Sequence, residues 1–359
     1  MAHFNLEQLS QSEESIHAVR SDQLVEQVVI VNGQAGCGKT MLSPIIAALG
    51  RVELLTYAYE IQYICAMHYL GKITSDAAVT MIQMQMDLQL YNMMMSREIN
   101  FRFYDLSSVF RDAHPWRYFR RLFFKGEENI PKKVSEEKPI LHLTTHNLLP
   151  FSQPVFDALG EKLVFIEMVR HPLYMIKQQA LNMHKLIGNK RHFTTYYDRV
   201  GKKYPYIIYG WEDLFDQSNP VEKAIYINEK MTNQVKAFEQ KISETSRGTL
   251  IIIPFECFVL NPWPYLEKVT KALKTKVTSS TRRMLKKQNV PRDMYARGIP
   301  LKVYKRYDWE PPKSTDENKE FRLRRQFAAQ KASPEAMRVL DRLCEEYEEK
   351  YLGGKKNYK

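Results

Sequence analysis

The sequence has no C-x-x-C pair: its four cysteines, Cys37, Cys65, Cys257 and Cys344, stand far apart. That spacing excludes a thiolate metal ribbon and a disulfide framework, and points to reduced thiols in a cytoplasmic protein. No apolar run approaches the roughly 20 residues of a membrane-spanning helix. The opening stretch MAHFNLEQLSQSEES also has no apolar signal-peptide core, so neither secretion nor a membrane anchor is expected. Metal-ligand spacing is equally scarce. His142 and His146 are four residues apart in ILHLTTH, but on a strand that offset separates them by about 13 Å, too far to share an ion. No metal site is implied, and there are no internal repeats. Acidic residues are the scarcer charged class, 41 against 53 Lys and Arg, for a formal net charge of +12. The excess suits an anionic partner: a nucleotide, a sulfated or phosphorylated substrate, nucleic acid or a membrane surface. Basic residues cluster at 282–306 and 322–331; the bland reading of both clusters is solvated surface. A nucleic-acid role would rest on charge alone and is not expected.

What is present is a phosphate-binding loop. Residues 28–46, VVIVNGQAGCGKTMLSPII, read as an apolar strand, a glycine-rich turn and a helix. The spacing G-x-x-x-x-G-K-T places Gly33, Gly36 and Gly38 where the backbone must approach a ligand closely, with successive N–H groups turned inward. Lys39 supplies a charge to the outer phosphates, and the Thr40 hydroxyl suits a metal ion or one more phosphate oxygen. The helix start contributes its unpaired donors. Pro44 falls within the first two turns and is expected to kink the helix.

Organisation along the chain is read as a polar segment over 1–25, in the form of a loose amphipathic helix, and then one α/β domain over 26–352. Within the domain lie a helical insertion at 57–124 and a substrate-facing or lid insertion at 188–246; a basic tail follows at 353–359. Residues 51–56 suit a short strand or a loop. Apolar spacing predicts helices over Tyr57–Leu70 and Asp76–Ile99, the second lined with methionines that read as core filling. Arg117, Arg120 and Arg121 share helical spacing in an aromatic, arginine-rich stretch, facing either solvent or an anionic substrate. Residues 125–138 read as a charged connector. Strands over Ile140–His146, Lys162–Val169 and Thr249–Glu256 alternate with helices at Gln153–Gly160, Leu173–Leu186 and Asn219–Glu244. This alternation predicts an α/β fold, a P-loop-containing nucleoside triphosphate hydrolase-like three-layer sandwich whose parallel central sheet carries helices on both faces. Ligands bind such sheets at the carboxyl ends of the strands, which gathers Gly33–Thr40, His146 and Arg170 at one rim.

The order of these motifs resembles that of the nucleotide-dependent sulfotransferases, over roughly residues 28–310. The loop comes first, then Thr145-His146 before Leu149 and Pro150, then VFIEMVRHP, then IIIPFECFVLNPWPYLEKV, and finally Arg297-Gly298 followed by Trp309. The resemblance implies transfer of sulfuryl from 3′-phosphoadenosine 5′-phosphosulfate to a hydroxyl or amine. In that scheme Gly33–Thr40 hold the phosphosulfate and Lys39 stabilises the bridging oxygen. Arg170, with Arg297 and Gly298, grips the 3′-phosphate, while His146 takes the acceptor proton. Gln178 stands where members place a serine, Thr144 where many place a lysine, and Gly36 where a basic loop residue is usual. Taken alone, the loop equally suits ATP or GTP with magnesium, so a kinase, a nucleotide hydrolase or a catalytically inactive nucleotide-binding protein stays open. That chemistry needs a strand-end acid, for which Glu167 and Glu256 are the nearest residues. The expected partners are the nucleotide donor and a small-molecule or glycan acceptor, toward which the aromatic stretch His192–Trp211 hints.

Overall fold

A computed structural model describes residues 16–185, 187–245, 248–295 and 316–354. Five strands form one parallel sheet: β1 (Val28–Asn32), β2 (Thr56–Tyr57), β3 (Leu141–Thr144), β4 (Leu163–Val169) and β7 (Thr249–Pro254), in the order β2-β3-β1-β4-β7. The hairpin β5 (Tyr196–Arg199) and β6 (Lys202–Pro205) stands apart from it. Every residue of β1 is buried, which is why its sequence runs apolar without alternation: both faces of a central parallel strand are covered.

The helices that cover them are α1 (Lys39–Ala47), α2 (Tyr59–Tyr69), α3 (Ser75–Met94), α4 (Pro115–Arg121), α5 (Ile130–Glu137), α6 (Gln153–Leu159) and α7 (Pro172–Lys185). They continue with α8 (Glu212–Gln217), α9 (Pro220–Thr245), α10 (Phe255–Leu260), α11 (Trp263–Ala272), α12 (Ser279–Lys287), α13 (Glu317–Ala329) and α14 (Pro334–Tyr351). Strand alternation divides the core. Val28, Ile30, Leu163 and Phe165 pack with Ile61, Ile82, Phe156 and Phe238 from α2, α3, α6 and α9. Val29, Val31, Val164, Ile166 and Met168 pack on the opposite face with Ile45, Ile46, Leu266 and Leu285 from α1, α11 and α12. The three-layer α/β sandwich is therefore as the strand and helix alternation predicts. A third cluster joins Leu173 and Ala224 of α7 and α9 to Phe321 and Leu340 of α13 and α14.

Several local expectations are corrected. Of the segment 1–25, expected as a loose amphipathic helix, residues 1–15 lie outside the described residues and residues 16–25 form no helix. They run irregularly along α3, where Asp76 Oδ2 accepts from the Ala18 N–H at 2.8 Å and Asp87 takes Arg20 Nε at 3.0 Å and the Val25 N–H at 2.9 Å. Intrahelical bonding gave way to these acids. The charged connector contains α5, because Ile130 and Val134 share a face that becomes buried. Residues 51–56 combine both alternatives: Val52 bridges to Ile140 and the chain then enters β2.

Arg117 and Arg121 face neither solvent nor substrate. Both reach the fully buried carboxylate of Glu53, Arg117 Nη1 at 3.0 Å and Arg121 Nη1 at 2.9 Å, and Tyr118 donates its hydroxyl to the same group at 2.8 Å. These partners hold the Glu53 carboxyl below its usual range in spite of burial. The cluster pins α4 to the segment leading into β2, and Arg120 alone of the three arginines points outward.

Candidate functional site

The carboxyl ends of β1, β3 and β4 lie side by side, in a register that sets Val31 beside Thr144 and Asn32 beside Glu167. The glycine loop emerges there. Gly33 has φ 147°, and a Cβ on it would stand 2.5 Å from the Met168 carbonyl oxygen; Gly38 has φ 108°, and a Cβ on it would stand 2.4 Å from the Phe255 ring. Any larger residue would push the loop off β4 and α10. Helix α1 begins at Gly38 with no side-chain cap and no acid in its first turn, so its positive end is uncompensated. Lys39 is buried, and its Nζ donates to the Gln34 carbonyl at 3.1 Å. Burial lowers the Lys39 proton affinity; Cys37 and Glu167 raise it in part. Thr40 is exposed. From α7, Gln179 donates to the Ala35 carbonyl at 3.0 Å, and the Gln178 Oε1 lies 3.2 Å from where a Cβ on Gly36 would be.

Arg170 follows β4 directly. Its Nη1 donates to the Gly36 carbonyl at 2.9 Å, and its guanidinium lies 4.0 Å from the Phe255 ring centroid and 4.8 Å from that of Tyr174. Its Nε is buried without a hydrogen-bond partner, 3.9 Å from the Glu256 carboxylate. Glu256 is itself fully buried: it accepts the Tyr347 hydroxyl at 2.6 Å and the His171 N–H at 3.3 Å, and Glu348 stands 3.3 Å from His171 Nε2. Helix α14 thus backs the arginine. Arg292 shares the Phe255 ring at 5.5 Å. Its donors go to the carbonyls of Asn289 and Tyr295 at 3.1 and 3.3 Å and to the Met41 sulfur at 3.5 Å, with no carboxylate partner among the described residues. Burial, and then the Arg170 charge, push Arg292 down to about 10.

His146 closes the third side. Its N–H donates to Gln62 of α2 at 2.6 Å, and its ring stacks on Tyr57 with centroids 6.2 Å apart and planes 18° apart. Burial, and then repulsion from Lys39, hold the imidazole well below its ordinary range, so it is neutral at physiological pH. Asn32 fixes the preceding turn: its Oδ1 accepts Thr145 Oγ1 at 2.9 Å and the Leu148 N–H at 3.1 Å, while its Nδ2 donates to Glu167 at 2.5 Å. Burial lifts the Glu167 carboxyl to about 8, partly opposed by Asn32 and Lys39.

The sequence-derived residues Gly33, Gly36, Gly38, Lys39, Gln178, Arg170 and His146 therefore gather at one rim; Arg297, Gly298 and Trp309 lie outside the described residues. Sequence reasoning missed Arg292, although it falls in the basic cluster at 282–306. It also missed Asn32, Gln179 and Tyr57. The one available signal for Asn32 was a polar residue ending an otherwise apolar strand. Among the described residues no group of three or more His, Cys, Asp or Glu is placed to hold a metal ion, and no helix is long and apolar enough to cross a membrane.

No family model matches the sequence, and no curated protein matches it. Among solved structures, the chain is similar to the sulfotransferase domain from the curacin biosynthetic pathway, at 12% identity over 89% of this chain and 98% of that one, with a TM-score of 0.41. It is also similar to the sulfotransferase domain from the Synechococcus PCC 7002 olefin synthase, at 10% identity over 88% and 98%, TM-score 0.39. A sulfotransferase from Mycobacterium tuberculosis is similar at 10% identity over 79% of this chain and 76% of its own, TM-score 0.36.

Proposed function

We propose that the chain is a sulfotransferase that uses 3′-phosphoadenosine 5′-phosphosulfate and an acceptor hydroxyl or amine. The observation that carries this reading is the cationic set Lys39, Arg170 and Arg292 around one glycine loop, with a neutral His146 beside Lys39. Arg170, whose Nε makes no hydrogen bond, and the carboxylate-free Arg292 share the Phe255 ring and fit one anionic group, and the tight glycine turn fits a second phosphate apart from them. When bound, the nucleotide supplies a sulfuryl group and leaves as adenosine 3′,5′-bisphosphate.

The roles of the chain's own residues follow. Backbone N–H groups from Gly33 to Thr40 hold the phosphosulfate. Lys39 Nζ exchanges the Gln34 carbonyl for the oxygen that gains charge as the sulfur–oxygen bond breaks. Arg170 and Arg292 hold the 3′-phosphate. His146 accepts the proton as the acceptor oxygen or nitrogen bonds to sulfur, a contribution of about 10²–10⁴ in rate for a positioned general base. Its low proton affinity comes partly from Lys39; an anion over that lysine cancels the repulsion, so the base strengthens when the donor is seated.

The ATP or GTP reading places a magnesium ion against a strand-end carboxylate. Glu167 is the carboxyl beside the loop, but burial keeps it protonated at neutral pH and Asn32 occupies one of its oxygens. Titrating the protein with adenosine 3′,5′-bisphosphate and, separately, with ATP plus magnesium discriminates the two. The sulfotransferase reading expects tighter binding of the bisphosphate, abolished in Arg170→Ala. A magnesium-dependent preference for ATP would overturn it.

A further inference from the structure

We propose that the outer surface of residues 101–125 docks on anionic phospholipid bilayers. This inference stands independently of the chemistry at the glycine loop. An unbroken chain of ring contacts runs from Tyr104 through Phe103, Phe110, Phe101 and Phe119 to Trp116, with successive centroids 5.4, 5.7, 6.2, 6.0 and 5.6 Å apart. Phe119 packs inward on a core cluster, but the others are exposed, Phe103 at 62% and Trp116 at 75%, and Phe123 beside them is 84% exposed. Isolated exposed aromatics are ordinary on a protein surface, whereas a contiguous run of them marks a contact face.

The charges on the same face specify what it contacts. Arg111, Arg120 and Lys125 are exposed and have no carboxylate partner among the described residues, Arg111 Nε instead donating to the Phe103 carbonyl at 3.3 Å. Of the two acids in the segment, Asp105 is already paired with Arg102 at 3.3 Å and Asp112 accepts the His114 N–H at 2.7 Å. A bilayer surface satisfies both chemistries at once: amphipathic rings settle at the headgroup level, and each nearby cation gains from anionic headgroups. A second copy of this face would bring the same cations against themselves in a two-fold contact.

The anchoring beneath supports the assignment. Helix α4 turns Arg117, Tyr118 and Arg121 inward onto buried Glu53 and leaves Trp116 and Arg120 outward, so the contact face is held rigid before it meets a partner.

Co-sedimentation of the full chain with phosphatidylcholine vesicles, with and without about one-third phosphatidylserine, tests the proposal. Association is expected only with the anionic vesicles, weakening as salt rises, and with a blue shift in tryptophan emission that Trp116→Phe removes. Arg120→Glu with Lys125→Glu should weaken it by at least about tenfold. Trp116→Ser with Phe123→Ser should do the same at an unchanged thermal midpoint, since these side chains are exposed. Failure to bind anionic vesicles, equal binding by both variants, or a patch-dependent dimer or acidic-peptide complex without vesicle binding would overturn it.

Discussion

His146 and Glu167 are both displaced from ordinary titration by burial, in ways that predict opposite pH signatures. Neutral imidazole is the form that accepts a proton, and His146 is held well below its usual range. The acid limb of kcat/KM should accordingly lie below the ordinary imidazole value of 6.5, as a pH–rate profile would show. An acid limb near 6.5 would remove His146 as the base. His146→Ala should keep bisphosphate affinity and lose transfer. Glu167 titrates near 8 when folded against 4.5 ordinarily. The folded state therefore holds a proton that the unfolded chain has released, and stability falls as pH rises between those values. Glu167→Gln retains an acceptor for Asn32, so its stability advantage over the parent should grow from about pH 4.5 and level off near pH 8 in urea unfolding series. The loop, His146 and Arg170 were legible because each ends an apolar strand, a pattern visible in one dimension. Asn32 and Arg292 were not. Asn32 acquires its role from the register that lays it beside Glu167, and Arg292 from a ring shared with a residue far earlier in the chain.

At the scale of elements, the strands and the long helices followed from periodicity, while short pieces were decided by tertiary partners. Residues 16–25 lost their expected helix to Asp76 and Asp87, and α5 appeared in a stretch whose charges concealed Ile130 and Val134. Arg117 and Arg121 show the same limit: helical spacing groups them, but nothing in the sequence announces that Glu53 lies beneath. Glu53→Ala would strand two arginines and a tyrosine hydroxyl in a buried place, and should cost about 3–5 kcal/mol in chemical denaturation. Helix α14 offers a subtler test. Tyr347→Phe removes the hydroxyl that holds Glu256, while filling the same space. Glu256 stands behind Arg170, so on the proposed reading we expect bisphosphate affinity to fall severalfold while affinity for adenosine stays unchanged, and the thermal midpoint to drop because the buried carboxylate loses a donor.

Across the whole molecule, the formal charge of +12 acts with the local cations on any multiply charged ligand. Raising ionic strength from about 0.01 to 0.15 M shortens the screening length from about 30 to 8 Å, so calorimetric affinity for the bisphosphate should drop over that range more than affinity for adenosine does. The sheet order has a further consequence. Strand β1, which opens into the glycine loop, pairs on one side with Leu141–Thr144 and on the other with Leu163–Glu167. During synthesis the apolar VVIV strand must therefore wait until residue 144 has emerged for its first flank and until residue 167 for both to be sealed. The loop that distinguishes this chain is encoded early but takes shape late. Stalled nascent chains should gain protease resistance around Val28–Thr40 abruptly once β4 has cleared the exit tunnel, and a chain interrupted between β3 and β4 offers chaperones an open β-edge on the side that β4 will cover.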